Sequence, residues 1–172
     1  MDKRAHWNER YRTGNGPRTV NARLAQYLPL LTRGRALDLA CGVGQNARLL
    51  VGWDLVLVDL AEEALAQGRG LRVQATASAL PFPPGVFDTV VDTYFFDSRV
   101  DFYFLLAPGG TLFFETYTTA DVRYRPEFCP AHRLDLAQVP QLLRGMEILV
   151  LQETDNGHRV YATIVARKPA HE

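Results

Sequence analysis

The stretch Arg35-Ala-Leu-Asp-Leu-Ala-Cys-Gly-Val-Gly-Gln-Asn-Ala-Arg-Leu-Leu50 decides the fold. Its apolar run, Ala36 to Ala40, predicts a short buried strand, and two glycines follow at once. Ala47, Leu49 and Leu50 then supply the buried face of a helix. Gly42 and Gly44 permit a sharp turn and let a flat ligand approach the main chain where a Cβ would collide. Asp38, near the strand's C-terminal end, sets a carboxylate beside that turn. A carboxylate there suits a cationic ammonium or sulfonium and repels a pyrophosphate.

Upstream, Lys3 to Arg12 reads as a helix with Trp7 and Tyr11 four residues apart on one face. Thr13-Gly-Asn-Gly-Pro17 breaks it. A second helix, capped by Thr19 or Asn21, runs to Tyr27. Downstream, Asp54-Leu-Val-Leu-Val-Asp59 is a continuous apolar run closed by an acid, as in a strand buried on both faces. Ala61 to Gln67 reads as a short helix and Leu71 to Ala75 as a third strand. Ala79 to Gly85 is a loop and Phe87 to Tyr94 a fourth strand. Ser98 caps a short helix through Leu106, and Pro108-Gly-Gly110 turns into a fifth strand, Thr111 to Tyr117. Thr118 to Arg133 is an irregular loop, and Leu134 to Arg144 is a helix kinked or started at Pro140. Met146 to Glu153 and Arg159 to Arg167 are strands joined by Asp155-Asn-Gly157, a hairpin signal.

Strand and helix signals alternate, so the expected fold class is α/β: a single-domain, Rossmann-like, doubly wound and mostly parallel sheet ending in an antiparallel hairpin. Residues 1–172 form one domain, with 1–34 as an N-terminal helical lid or cap and 35–172 as the core sheet. Nineteen basic and nineteen acidic residues give zero net charge, which supports neither nucleic-acid nor anionic-membrane binding. Cys41 and Cys129 make neither a C-x-x-C pair nor a disulfide framework, which points to a reducing cytoplasm. The polar N-terminus does not read as a signal peptide, and no apolar run reaches the roughly 18 residues of a membrane span.

Gly42-Val-Gly44-Gln-Asn-Ala47 fits the pattern G-x-G-x-x-G/A, and Asp59 ends the second strand, placed to hold a ribose diol. That pair alone is shared by several nucleotide binders, including nicotinamide-dependent oxidoreductases. Asp38, the lack of room for a separate substrate domain, and the terminal hairpin tilt the reading elsewhere.

The chain resembles a class I S-adenosylmethionine-dependent methyltransferase. L-D-L-A-C-G-x-G at 37–44, the acid Asp59, A-L-P-F at 79–82, F-D-x-V-V at 87–91 and L-x-P-G-G at 106–110 fall in family order. W-N-E-R-Y at 7–11 and V-A-R-K-P at 165–169 are similar to the small tellurite-resistance and thiopurine-type branch. The resemblance implies S-adenosylmethionine as cofactor, S-adenosylhomocysteine as product and a small-molecule methyl acceptor. It places Gly42 and Gly44 under the cofactor, Asp38 at its amino-acid end, Asp59 on the ribose hydroxyls, Leu60 on the adenine, and Trp7 and Tyr11 as a lid. Ala40, Asn46, Ala77 and Thr93 complete the implied cofactor-binding set. Thr76 departs from the family, which often carries there an acid that accepts from the adenine amine.

A sulfur, selenium or tellurium nucleophile needs no general base. For oxygen or nitrogen, Asp97 and His132 are the candidates. No metal site is expected, and the assembly is a monomer or homodimer. The alternatives are a cofactor-binding protein without catalysis and an oxidoreductase. Each residue also has a plain structural role open to it: Asp38 and Asp59 as caps, Trp7 and Tyr11 as core, and His132 as a solvated loop residue.

Overall fold

The computed structural model describes residues 2–170. Seven strands form one sheet in the order β3-β2-β1-β4-β5-β7-β6. In chain order they are β1 (Arg35–Leu39), β2 (Asp54–Asp59), β3 (Leu71–Gln74), β4 (Phe87–Thr93), β5 (Leu106–Tyr117), β6 (Glu147–Asp155) and β7 (Val160–Arg167). β1 to β5 pair in parallel, and β7 runs antiparallel to both β5 and β6. The α/β sheet and its antiparallel end agree with the pattern of the sequence. The hairpin turns at Asn156-Gly157, where Gly157 has φ 82° and the Asn156 side chain accepts from the amides of His158 and Arg159.

Each sheet face buries its own apolar layer. Leu37, Leu39, Val90, Leu112 and Phe114 meet Phe102, Leu105, Leu134 and Val139 on one side. Ala36, Val91, Phe113 and Val165 meet Leu24, Leu31 and Leu50 on the other. The central strands read as unbroken apolar runs because both faces are covered.

The helices are shorter than the sequence suggests. α1 (Lys3–Arg12) is full length, its first turn capped by Asp2. α2 (Ala22–Tyr27) is capped by Asn21, not Thr19: the Asn21 Oδ1 accepts the Leu24 amide at 2.8 Å. The helix expected after the glycine turn is a single 3-10 turn, Gln45–Arg48. Three apolar positions are enough to press Leu50 into the core without a longer helix. α3 covers Glu62–Leu65. α4 (Phe102–Leu105) is capped by Asp101, whose carboxylate accepts the Phe104 amide at 2.8 Å, and not by Ser98. Ser98 sits instead within the turn that Asp97 and Arg99 close. The stretch expected as one helix from Leu134 to Arg144 divides into a 3-10 turn, Leu136–Gln138, and α5 (Val139–Leu142). Pro140 is the second residue of α5, in the first turn, where its missing amide costs no helical hydrogen bond. Pro108-Gly-Gly110 lies within β5, where the register with β4 shifts between Phe87 and Thr89.

No helix among the described residues is long and apolar enough to cross a membrane.

Candidate active site

Because β1 to β4 are parallel, their C-terminal ends share one edge of the sheet, the usual ligand-binding edge of such folds. Asp38 on β1 and Asp92 on β4 both lie there, fully buried, and none of their four carboxylate oxygens has a hydrogen-bond partner. Asn46 lies near enough to Asp38 to favour its ionised form slightly, without completing a bond. Burial first, and the charge of Asp59 second, push the Asp38 carboxyl up to about 7. Burial, followed by the charge of Asp38, raises Asp92 well above the usual carboxylate range. A buried, unpartnered carboxylate is costly. Two at one edge leave a site that positive charge would complete.

Asp59 ends β2 in a different state. Its Oδ2 accepts the Gly42 amide and its Oδ1 the Ala61 amide, each at 2.8 Å. It therefore ties the glycine turn to the start of α3, and each oxygen keeps a lone pair for a further donor. The turn is left-handed at three places: Ala40 (φ 52°), Gly42 (57°) and Gly44 (72°). A Cβ on Gly42 would meet the Tyr11 hydroxyl, and one on Gly44 would lie 2.9 Å from Leu57. The sequence suggests close approach of a ligand at Gly42; the neighbour found there is a side chain of α1.

Tyr11 is 6% exposed and packs with Ala61, Ala64, Val43 and Trp7, so α1 lies against α3. Trp7 stands 6.1 Å from Tyr11, ring to ring. Arg4 and Asn8 bond Glu62 across the same contact. Burial, then Asp59, holds the Tyr11 phenol in its protonated form.

A polar chain, which sequence reasoning missed in part, backs the turn. Buried Asn46 accepts the Asn21 amide at 3.0 Å and donates to the Thr93 hydroxyl at 3.1 Å. Asn21 then donates to Glu115 at 2.7 Å, and Thr163 donates to the other Glu115 oxygen at 2.6 Å. Glu115 inside the apolar run of β5 was the one available signal. On the far side, the Leu60 carbonyl accepts from Gln74, half-buried Ala77 packs on the core, and exposed Thr76 shares a hydrogen bond with Ser78.

The two acid–base candidates stand near one another. The Arg99 guanidinium, 2.6 Å from Asp97, holds that carboxyl below its ordinary value and makes it a poor proton acceptor. Burial, then nearby Lys3, lowers the affinity of His132 for a proton, so its ring is neutral at ordinary pH. Among the described residues no group of three or more His, Cys, Asp or Glu could hold a metal ion.

Residues 37–114 match the family model described as a methyltransferase domain. That segment is the parallel part of the sheet, from β1 into β5. A demethylmenaquinone methyltransferase of Thermus thermophilus is 40% identical over 98 residues. The alignment covers 45% of this chain and 44% of that protein, less than half its length. A methyltransferase structure from Methanosarcina mazei superposes with a TM-score of 0.69 at 18% identity, over 88% of this chain and 99% of that one. The [4+2]-cyclase SpnF superposes with a TM-score of 0.66 at 18% identity, over 87% and 81%. The fold is therefore the Rossmann-like fold of the methyltransferases, and a cyclase shares it. The domain match and the Thermus relative each cover less than half of this chain.

Proposed function

We propose that this protein transfers a methyl group from S-adenosylmethionine to a small-molecule acceptor. The observation that carries the proposal is Asp38: a fully buried carboxylate with no partner, beside a left-handed glycine turn and one strand from Asp59. The donor set fits the cofactor. Asp38 supplies the negative charge that an ammonium requires, and the free lone pairs of Asp59 suit a ribose diol.

When bound, the cofactor supplies an electrophilic methyl on a sulfonium. The chain's own part is positioning and exclusion of water. Asp38 holds the amino-acid end, with Asn46 and Thr93 fixed behind it. Gly42 and Gly44 underlie the cofactor. Ala40, Leu60, Thr76 and Ala77 border it, and Trp7 and Tyr11 close over it from α1. Neutral His132 is the residue able to take a proton from an oxygen or nitrogen acceptor; a sulfur acceptor needs none. The small tellurite-resistance and thiopurine-type branch, carried by Trp7-Asn-Glu-Arg-Tyr11, belongs to this proposal, as does a reducing compartment for the free Cys41 and Cys129. The Thermus relative's name favours a small-molecule acceptor.

Calorimetry tests the reading. The expected result is binding of S-adenosylmethionine and S-adenosylhomocysteine, loss of at least tenfold in affinity for both in Asp38→Asn, and weaker binding of NAD. Tighter binding of NAD, or full affinity in Asp38→Asn, would overturn it.

A further inference from the structure

Two elements that cover one face of the sheet are cut short, and arginines line the gap between them. The segment after the glycine turn is a single 3-10 turn, Gln45–Arg48, and α3 ends at Leu65. Half-buried Leu55 touches the apolar clusters of both, Leu50 on one side and Leu65 on the other. A groove of about 810 Å³ opens over it, within the size range of small-molecule sites. Three guanidiniums line this groove from three separate places in the chain: Arg18 before α2, Arg48 at the end of the 3-10 turn, and Arg69 between α3 and β3. Among the described residues no acid lines it.

Elsewhere the chain pairs many of its arginines, and seven of them lie against a carboxylate. In the groove, Arg18 donates to the Gln67 carboxamide at 2.7 Å, and among the described residues Arg48 and Arg69 make no hydrogen bond or ion pair. The acids of the flanking elements are engaged elsewhere. Asp54 pairs with Arg35 at 3.4 Å, Glu62 pairs with Arg4 at 3.1 Å, and the charge of Glu63 acts on Arg12. Asp59 accepts the Gly42 and Ala61 amides on the other side of the turn. Three positive charges therefore share one concave site without counter-ions of their own, and such a site concentrates anions. Gln45, on the same wall, has a buried Oε1 with no hydrogen-bond partner, so a donor is also missing there. Half-buried Trp53 adds an aromatic surface for a flat ring.

We infer that this groove is a second ligand site, separate from the edge that carries Asp38 and Asp59, and that its ligand is a nucleotide. The arginines take the phosphates, Trp53 takes the base, and Gln45 accepts from a ring amine. Guanidinium suits the task because its planar fork meets phosphate oxygens in pairs. Zero net charge gives a long nucleic acid no general hold on the chain, whereas one groove suffices for a small polyanion. The inference stands independently of the methyl-transfer reading.

Calorimetry with cytidine 5′-triphosphate, cytidine and inorganic tripolyphosphate tests it, with and without saturating S-adenosylhomocysteine. A cytosine base avoids competition for the adenine of the proposed cofactor. The triphosphate should bind about tenfold more tightly than cytidine, through charge-assisted bonds to the arginines. It should also bind about threefold more tightly than tripolyphosphate, the worth of one aromatic stack. S-adenosylhomocysteine should not displace it. The double variant Arg48→Gln/Arg69→Gln should lose about tenfold in triphosphate affinity. Both side chains are exposed, so this variant should keep its melting temperature and its S-adenosylhomocysteine affinity; Arg69→Gln alone gives the same direction of change should the double variant fold poorly. Arg144→Gln, which removes an exposed arginine beyond α5, should leave the triphosphate bound as in wild type. Triphosphate binding no tighter than that of cytidine, displacement by S-adenosylhomocysteine, an equal loss in Arg144→Gln, or full affinity in the folded groove variants overturns the inference. An oligocytidylate bound more tightly than the triphosphate overturns the nucleotide as ligand. Failure of S-adenosylhomocysteine to bind wild type would strike the methyl-transfer reading alone, and the triphosphate comparison would still decide the groove.

Discussion

At Asp38 one proton links stability to function. Burial and Asp59 raise its carboxyl from an ordinary 3.8 to about 7. The empty folded protein thus keeps a proton that the unfolded chain has already released. Its contribution to stability is full below about pH 4 and is lost as pH rises through about 7, on the order of 4 kcal/mol. Asp38→Asn should therefore melt higher than wild type at pH 8 and close to it at pH 4, while losing the cofactor. Melts of both proteins at the two pH values check this. The anion is the form that binds an ammonium, so wild-type affinity for S-adenosylmethionine should rise between pH 6 and pH 8, with proton uptake by the buffer at the lower pH. Calorimetry in two buffers of different ionisation heat would reveal it. At Gly42, alanine meets both a left-handed φ, costing about 1–2 kcal/mol, and the Tyr11 hydroxyl. Tyr11→Phe should recover part of the second loss and none of the first. A urea double-mutant cycle with no coupling would show that the collision is relieved in another way. Asp38 and Asp59 stand out in the sequence because Asp38 interrupts one apolar run and Asp59 closes another. Tyr94 does not, because its distinction is a backbone φ of 59°, which nothing in Asp92-Thr-Tyr-Phe95 announces.

Among the elements, α1 is the one whose role stands most apart from the core. It buries only Tyr11 among its ten residues, and its polar contacts with α3 are exposed pairs such as Arg4–Glu62, worth at most about 1 kcal/mol. A segment held so lightly opens easily. Amide hydrogen exchange along Lys3–Arg12 should be fast in the empty protein and markedly slowed by S-adenosylhomocysteine. Exchange that ligand leaves unchanged would make α1 a fixed part of the wall and not a lid. The short crossover elements explain what the sequence reading placed less well. Ser98 and Asp101 both carry cap-forming side chains; burial of Phe102 and Leu105 chooses Asp101. Asn21 and Glu115 are 94 residues apart, and only the placing of α2 against β5 joins them.

Across the whole molecule, the sheet was legible because strands covered on both faces must be apolar throughout, and turn residues punctuate them. The layer of helices was less so, since short turns carry too few residues to establish a period. β6 forms one margin of the sheet, with Ile148 39% and Leu151 47% exposed. Such a margin invites pairing between molecules. Leu151→Lys should leave stability within about 0.5 kcal/mol and reduce light scattering on heating. The neighbouring strand has a different significance. β7 lies between β5 and β6, although it follows both in the chain. During synthesis β5 therefore waits with one side open, and β6 emerges with no place of its own in the sheet. Both are completed by the same late segment, 160–167, at translation speeds of roughly 5–20 residues per second. Ribosomes that stop short of that segment release chains missing two strands' worth of sheet, and the buried Glu115–Thr163 bond cannot form. Closure of the sheet between β5 and β6 thus waits on β7.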